Sequence, residues 1–131
     1  PAGLDDGVEF LGYWLSNPNP QPGERLYVRL YWRAAGQPSA NYTTFVHLLE
    51  AGPDGAPQQV AGADAPPGNG ACATGDWTPG EIIVDELQLV MPESAPAGPL
   101  SLAVGLYRAE TGQRLAAPGY PDDQIAWPLG N

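Results

Sequence analysis

The chain has 131 residues, 43% of them hydrophobic, and a formal charge of −10, because fifteen acidic residues stand against five basic ones. Such a charge repels phosphate backbones and anionic lipid surfaces, which argues against nucleic acid and membrane lipid as partners. The length predicts one domain over residues 1–131, and 17 glycines and 16 prolines predict many turns and few long helices.

Alternating apolar residues, separated by turn residues, predict short strands and no helix. The expected strands are Val8–Leu15, Arg25–Ala34, Tyr42–Ala51, Gln58–Asp64, Ile82–Pro92, Pro99–Ala109 and Asp122–Gly130. The last should be an edge strand, because Pro128 lacks the N–H that a ladder requires. Seven to eight short strands predict a two-sheet antiparallel β-sandwich, immunoglobulin-like or jelly-roll-like, with a small barrel as the alternative.

Two loops are predicted with some detail. The segment Ala65–Glu81 is too rich in glycine and proline for regular structure, so we expect a long ordered loop anchored by Trp77. A hairpin turn is expected at Gly112.

The chain contains no apolar run of about 18 residues or more, so this segment is not expected to insert into a membrane. The N-terminus lacks the features of a signal peptide and does not begin with Met, which suggests a domain excised from a larger protein.

The clearest alternation lies in "RLYVRLYWRA", which places one apolar row and one row of tyrosine and arginine on opposite faces of a strand. If this strand pairs with Tyr42–Glu50, one register places Phe45 and His47 beside the second row. Aromatic rings stack on sugars and arginine donates paired hydrogen bonds, so a glycan or protein contact patch is one hypothesis. The alternative is a solvated face of ordinary strand residues. The candidate ligand-binding residues are Tyr27, Arg29, Tyr31, Arg33, Phe45, His47 and Trp77.

His47, the single histidine, lies in the apolar stretch "YTTFVHLL". A catalytic or metal-binding histidine needs convergent partners, and the sequence contains no second histidine, no Gly-x-Ser-x-Gly and no pair of carboxylates on one strand with a clear acid/base logic. A packed histidine is therefore the favoured interpretation. Cys72 cannot form an intrachain disulfide, since it is the single cysteine, and no neighbouring motif indicates a reactive thiol. We expect no catalytic residues, no cofactor and no metal; loop aspartates leave calcium open, although no EF-hand spacing occurs.

Several sequence motifs occur in an order and spacing that resemble those of a known domain family: "LGYWL", "PGERLYVRLYWRA", "NYTTFVHLLEAGPDG", "DAPPGNG", "TGDWTPGEIIVDELQLVMP" and "AGPLSLAVGLYRAETGQRL". From Val8 to Leu115 the chain resembles a β-sandwich domain of large bacterial membrane proteins of the glycosyltransferase-39 (dolichyl-phosphate-mannose mannosyltransferase-like) type, notably from Chloroflexi. It departs from that pattern at Ala73, where proline is usual, and at Leu100, where an aromatic residue is common.

The resemblance implies a non-catalytic, extracytoplasmic accessory domain of a cell-envelope protein, with another envelope protein or domain, or a glycan, as its partner. The alternative function is a carbohydrate-binding module that uses the aromatic and arginine face or the loop around Trp77. An enzyme is the least favoured class, because glycoside hydrolysis needs carboxylates placed in a cleft and the acids here are scattered through turns.

Overall fold

The computed structural model describes residues 2–96 and 98–130, which form an all-β sandwich of two antiparallel sheets. The first sheet has the order β1 (Ala2–Gly3), β2 (Val8–Leu15), β3 (Arg25–Ala34) and β6 (Ile82–Val90). The second has the order β5 (Pro57–Ala65), β4 (Thr43–Ala51), β7 (Leu100–Tyr107) and β8 (Ile125–Pro128). The predicted sandwich is confirmed, and the small barrel is excluded because the two sheets are separate.

The order of the strands identifies the type of sandwich. β3 lies beside β6 in one sheet, and β4 lies beside β7 in the other. This is the Greek-key order of immunoglobulin-like domains, in which the second and fifth strands pair in one sheet and the third and sixth pair in the other. Here β2 takes the place of the first immunoglobulin strand, and β1 is a two-residue addition at the edge.

The core forms where the apolar rows of the two sheets meet. Leu26, Val28, Leu30 and Trp32 of β3 are fully buried against residues of β4 and β7 that are equally buried, namely Val46, Leu48, Leu102, Val104 and Leu106. Burial of each such side chain stabilises the fold by roughly 1.5–3 kcal/mol relative to exposure. The alternation predicted for β3 is therefore confirmed: its even-numbered positions face the core.

A carboxylate lies inside this core and joins the two sheets. Asp85 of β6 is fully buried, and its Oδ2 accepts hydrogen bonds from Trp32 Nε1 at 3.3 Å and from Thr44 Oγ1 at 2.7 Å. Its Oδ1 accepts a hydrogen bond from the backbone N–H of Gly68 at 3.1 Å. One side chain thus connects both sheets to the segment that follows β5.

The segment between β5 and β6 is the ordered loop that the sequence predicts. It contains two short 3₁₀ turns, Pro67–Gly70 and Thr74–Asp76. Trp77 is 2% exposed, and its Nε1 donates a hydrogen bond to the carbonyl oxygen of Cys72 at 2.7 Å. Trp77 therefore anchors this loop from within the core.

The pairing of β3 with the following strand, which the patch hypothesis assumed, does not occur. β3 pairs with β2 and β6, whereas β4 belongs to the second sheet and pairs with β5 and β7. Between β3 and β4 the chain crosses from one sheet to the other, and bonds to distant residues hold the crossing. Ala35 N–H donates to the carbonyl oxygen of Gly7, and Tyr42 N–H donates to Thr74 Oγ1.

The connections gather at the two ends of the sandwich. One end, here called the loop end, carries residues 4–7, 35–42, 66–81 and 108–124. The opposite end carries residues 16–24, 52–56 and 91–96. The predicted hairpin turn at the loop end is confirmed: Gly112 has a φ of +74°, and Tyr107 bridges to Arg114. β8 is an edge strand, as predicted.

Candidate contact face

The outward side of the first sheet is a broad, solvent-exposed face, here called the contact face. β3 presents the tyrosines and arginines predicted for it, and β6 adds an exposed aliphatic row with Ile82 at 58%, Val84 at 53% and Val90 at 55% exposure. β2 adds Trp14, which is 44% exposed. The contact face comprises Trp14, Arg25, Tyr27, Arg29, Tyr31, Arg33, Ile82, Val84, Glu86, Gln88 and Val90, with Glu9 at its edge. Exposed large apolar side chains grouped in this way characterise interaction surfaces.

Ion pairs cross the contact face from strand to strand. Arg29 Nε lies 2.9 Å from Glu86 Oε2, and Arg33 contacts Glu9 through two hydrogen bonds of 3.0 and 3.1 Å. The Arg33 guanidinium holds the pKa of Glu9 below its ordinary value. Exposed pairs of this kind contribute little to stability, because solvent screens their charges. They fix the orientation of the arginines more than they stabilise the sheet.

The contact face differs in charge from the rest of the molecule. Three of the five basic residues lie on it, against Glu9 and Glu86, so its formal charge is +1 in a chain of −10. Arg29 also lies over the indole of Trp14, 4.5 Å from the ring centroid. A cation above an aromatic face is attracted by the negative charge density of the ring. The face therefore combines apolar, aromatic and cationic groups in one plane.

Phe45 and His47 do not join this face, because β4 lies in the other sheet. Phe45 is buried on the outward side of the second sheet, where the Arg114 guanidinium covers its ring at 4.4 Å. His47 packs against Phe45 with their ring centroids 4.7 Å apart. The sequence-based patch is therefore divided: Tyr27, Arg29, Tyr31 and Arg33 remain together, whereas Phe45 and His47 lie on the opposite side of the molecule.

His47 is a half-buried, packed side chain in the structure. Burial lowers its pKa, the nearby Asp64 carboxylate opposes that shift, and Arg114 adds to it. Among the described residues, no hydrogen bond reaches either ring nitrogen. Asp64 instead accepts a hydrogen bond from the Tyr107 hydroxyl at 2.8 Å. The environment favours a neutral imidazole between an aromatic ring and a glycine, Gly62, whose added Cβ would touch the ring at 3.4 Å.

Trp77 does not offer a binding surface, because its ring is buried in the core. Cys72 is partly buried, and its Sγ lies so close to Gly68 that a Cβ there would be 2.9 Å away.

Over residues 2–96 and 98–130, no three His, Cys, Asp or Glu side chains come close enough to hold a metal ion. In the same residues, no helix is long and apolar enough to cross a membrane.

Sequence reasoning missed the contributions of β2 and β6 to the contact face. The alternation in "IIVDELQLV" places Ile82, Val84 and Val90 on the side opposite the core residues Ile83, Leu87 and Leu89, so the pattern itself was visible. It could not show that β6 lies beside β3. Trp14 was not predictable as a surface residue, since a bulge between Phe10 and Gly12 shifts the register of β2.

Comparisons with known proteins give a fold and no family. No protein-family model matches the chain, and no curated protein matches it. Among solved structures, the chain is similar to one described as "AvmM Catalyzes Macrocyclization in Alchivemycin A Biosynthesis", with a TM-score of 0.53 and 13% identity over 97% of this chain and 90% of that one. Identity this low shows a common fold alone, so the activity of AvmM is not transferred to this chain.

Proposed function

We propose that the protein is a non-catalytic accessory domain of an extracytoplasmic cell-envelope protein and that it contacts another protein through the contact face. The exposed row of Ile82, Val84 and Val90 beside three arginines is the observation that supports a contact role. The resemblance to domains of glycosyltransferase-39-like membrane proteins supports the location.

The chemistry of the contact face supports one kind of partner. An apolar row binds most favourably to an apolar surface, because burial removes water from its aliphatic side chains. Arginines around such a row favour carboxylates, and complementary charge selects partners at the stage of encounter. The proposed partner is therefore a protein surface with an apolar centre and an acidic rim, either on another domain of the same polypeptide or on another envelope protein.

The test is site-specific photocrosslinking in cells of the source organism. A photoreactive amino acid at Val84 should cross-link to an envelope protein or to another part of the same polypeptide, with the partner peptide identified by mass spectrometry. The variant Arg29→Glu should lower the yield at least about tenfold, because reversing one charge opposite an acid costs more than about 1.4 kcal/mol. Gln58 of β5, exposed on the other sheet, is the matched control position. Equal yields at positions 84 and 58, or a yield that Arg29→Glu leaves unchanged, would contradict the proposal.

A carbohydrate-binding function is the second candidate, and the exposed rings of Trp14 and Tyr27 beside Arg29 favour it. Stacking on a sugar requires an accessible ring face, and arginine supplies donors for hydroxyl groups. In an NMR titration with bacterial envelope oligosaccharides, this function predicts saturable shifts of the Tyr27–Arg33 amides, with no shifts at Phe45 and His47 on the opposite side. Tyr31→Ala should then abolish binding while the fold stays intact. An affinity that survives this substitution would remove the contact face as a sugar site.

A further inference from the structure

We infer that the loop end carries a second binding site, separate from the contact face, for a neutral polyhydroxylated molecule such as a monosaccharide. The site is a cavity of about 300 Å³ between the β7–β8 hairpin and the start of the chain. Its polar lining consists of Asp5, Tyr42, Arg108, Gln113, Arg114 and Asp123. A volume near 300 Å³ is the lower limit of pockets that hold small molecules.

The charges that line the cavity balance one another. Arg108 and Arg114 stand against Asp5 and Asp123, so the formal charge of the lining is zero in a chain of −10. An anion would meet the field of the whole acidic protein, and a cation would meet two guanidinium groups. A neutral ligand is repelled by neither, and it can form hydrogen bonds with both the donors and the acceptors of the lining.

Part of this lining is already used by the protein and forms a rigid wall. Arg114 covers Phe45 and donates hydrogen bonds to the carbonyl oxygen of Asp122 at 2.9 Å and to Gln124 Oε1 at 3.1 Å. Asp123 Oδ1 accepts the N–H of Ala117 at 3.0 Å. These groups hold the hairpin in place, which reduces the ordering that a ligand would otherwise have to impose.

The remaining polar groups are available to a ligand. Among the described residues, no hydrogen bond reaches the carboxylate of Asp5 or the side-chain amide of Gln113. Arg108 approaches Glu110 only at 3.8 Å, beyond hydrogen-bond distance. Carboxylate, amide and guanidinium groups each present two polar atoms in one plane, which suits the two oxygens of a vicinal diol. These three groups are the basis for inferring a diol-bearing ligand.

The opposite wall of the cavity is also fixed in advance. The Tyr42 hydroxyl donates a 2.6 Å hydrogen bond to Asp6 Oδ2, which also accepts the N–H and the hydroxyl of Ser39, both at 2.9 Å. Burial and the bond to Asp6 raise the pKa of Tyr42 to about 12, so its hydroxyl stays protonated at neutral pH. Loops held this firmly on a sandwich scaffold are where binding residues concentrate.

The test is an NMR titration of the isotope-labelled protein with glucose, galactose, N-acetylglucosamine and myo-inositol, and with citrate as an anionic probe and choline as a cationic one. At least one of the four neutral compounds should give saturable shifts of the amides of Asp5, Tyr42 and residues 113–116. Arg108→Ala and Gln113→Ala should each weaken that binding at least about fivefold, because each removes a hydrogen-bonding group. Gln58→Ala, an exposed position on β5 at the end of the sandwich opposite the cavity, is the matched control and should leave the affinity unchanged.

Three outcomes would overturn the inference. One is the absence of saturable shifts with all four neutral compounds in a folded protein. The second is a stronger response to citrate or choline, which would make the ligand charged. The third is a sugar response confined to Tyr27–Arg33, which would support the carbohydrate function of the contact face and leave the cavity without a ligand. Arg108 and Gln113 are both exposed, so neither substitution should change the melting temperature. If the melting temperature is unchanged, a loss of binding is a local effect.

Discussion

The substitution Asp85→Ala is expected to lower the free energy of unfolding by about 3–5 kcal/mol. It removes the acceptor of three hydrogen bonds. The donors Trp32 Nε1, Thr44 Oγ1 and Gly68 N–H then lose the carboxylate that they bind in the folded protein. A buried donor without a partner costs roughly 1–3 kcal/mol, and domains of this kind have only about 5–15 kcal/mol of stability in total. Urea unfolding, followed by tryptophan fluorescence, measures the loss.

Two further variants make the Asp85 prediction specific. Asp76→Ala removes an exposed carboxylate from the loop that precedes β6 and should change stability by less than about 0.5 kcal/mol. Asp85→Asn keeps the shape but cannot ionise. Burial raises the pKa of Asp85, while the bonds from Thr44, Gly68 and Trp32 oppose that shift. The folded state therefore holds the proton more tightly than the unfolded state does.

The sign of the pH effect follows from that difference. The contribution of Asp85 is complete below its ordinary pKa of 3.8 and is lost as the pH rises through the raised pKa of the folded state. The stability of the natural chain relative to Asp85→Asn should thus decrease as the pH rises from about 4 toward neutrality. A relative stability that instead increases over this range, together with a small effect of Asp85→Ala, would refute the role assigned to this carboxylate.

The sequence predicted the strands because the physical cause of each strand is local. Alternation in β3 separates Leu26 and Val28 from Tyr27 and Arg29, and a one-residue shift would bury the arginines. The same reasoning fails for β1, whose two residues are too short for a pattern. It also placed the last strand from Asp122, whereas Pro121–Asp123 form a 3₁₀ turn and β8 begins at Ile125.

Strand pairing was not predictable, because it depends on contacts between residues far apart in the sequence. Only about two-thirds of consecutive strands pair or lie side by side. β3 and β4 are an exception, since the crossing between them is held by bonds to Gly7, Asp6 and Thr74. That single error moved Phe45 and His47 to the wrong face and kept Ile82, Val84 and Val90 out of the candidate site.

The sequence pattern indicates that Asp85 is buried, but it does not identify the hydrogen-bond donors around it. In "IIVDELQLV" it occupies the same face as Ile83, Leu87 and Leu89, so the alternation marks an acid at a core position. A buried acid requires donors, and this requirement follows from physical chemistry alone. Which donors satisfy it does not, because Trp32, Thr44 and Gly68 come from three other segments.

The substitution Gly105→Ala is expected to lower the free energy of unfolding by about 1–3 kcal/mol, although alanine usually restricts the unfolded chain in a stabilising way. A Cβ atom at Gly105 would lie 2.6 Å from two ring carbons of Phe45 and 3.2 Å from the carbonyl oxygen of Asp123. The Phe45 ring cannot retreat freely, since Arg114 covers it at 4.4 Å. Thermal or urea unfolding gives the change, and Gly3→Ala, where the added Cβ meets nothing within 4 Å, is the matched control.

A double-mutant cycle with Phe45→Leu identifies the cause of the Gly105→Ala effect. A smaller side chain at position 45 leaves room for the new methyl group, so Gly105→Ala should cost at least about 1 kcal/mol less in the Phe45→Leu background than in the natural chain. Additive effects would mean that the ring does not set the cost. A coupled result would assign the cost to the contact between the new methyl group and the Phe45 ring, which Arg114 holds in place from the other side.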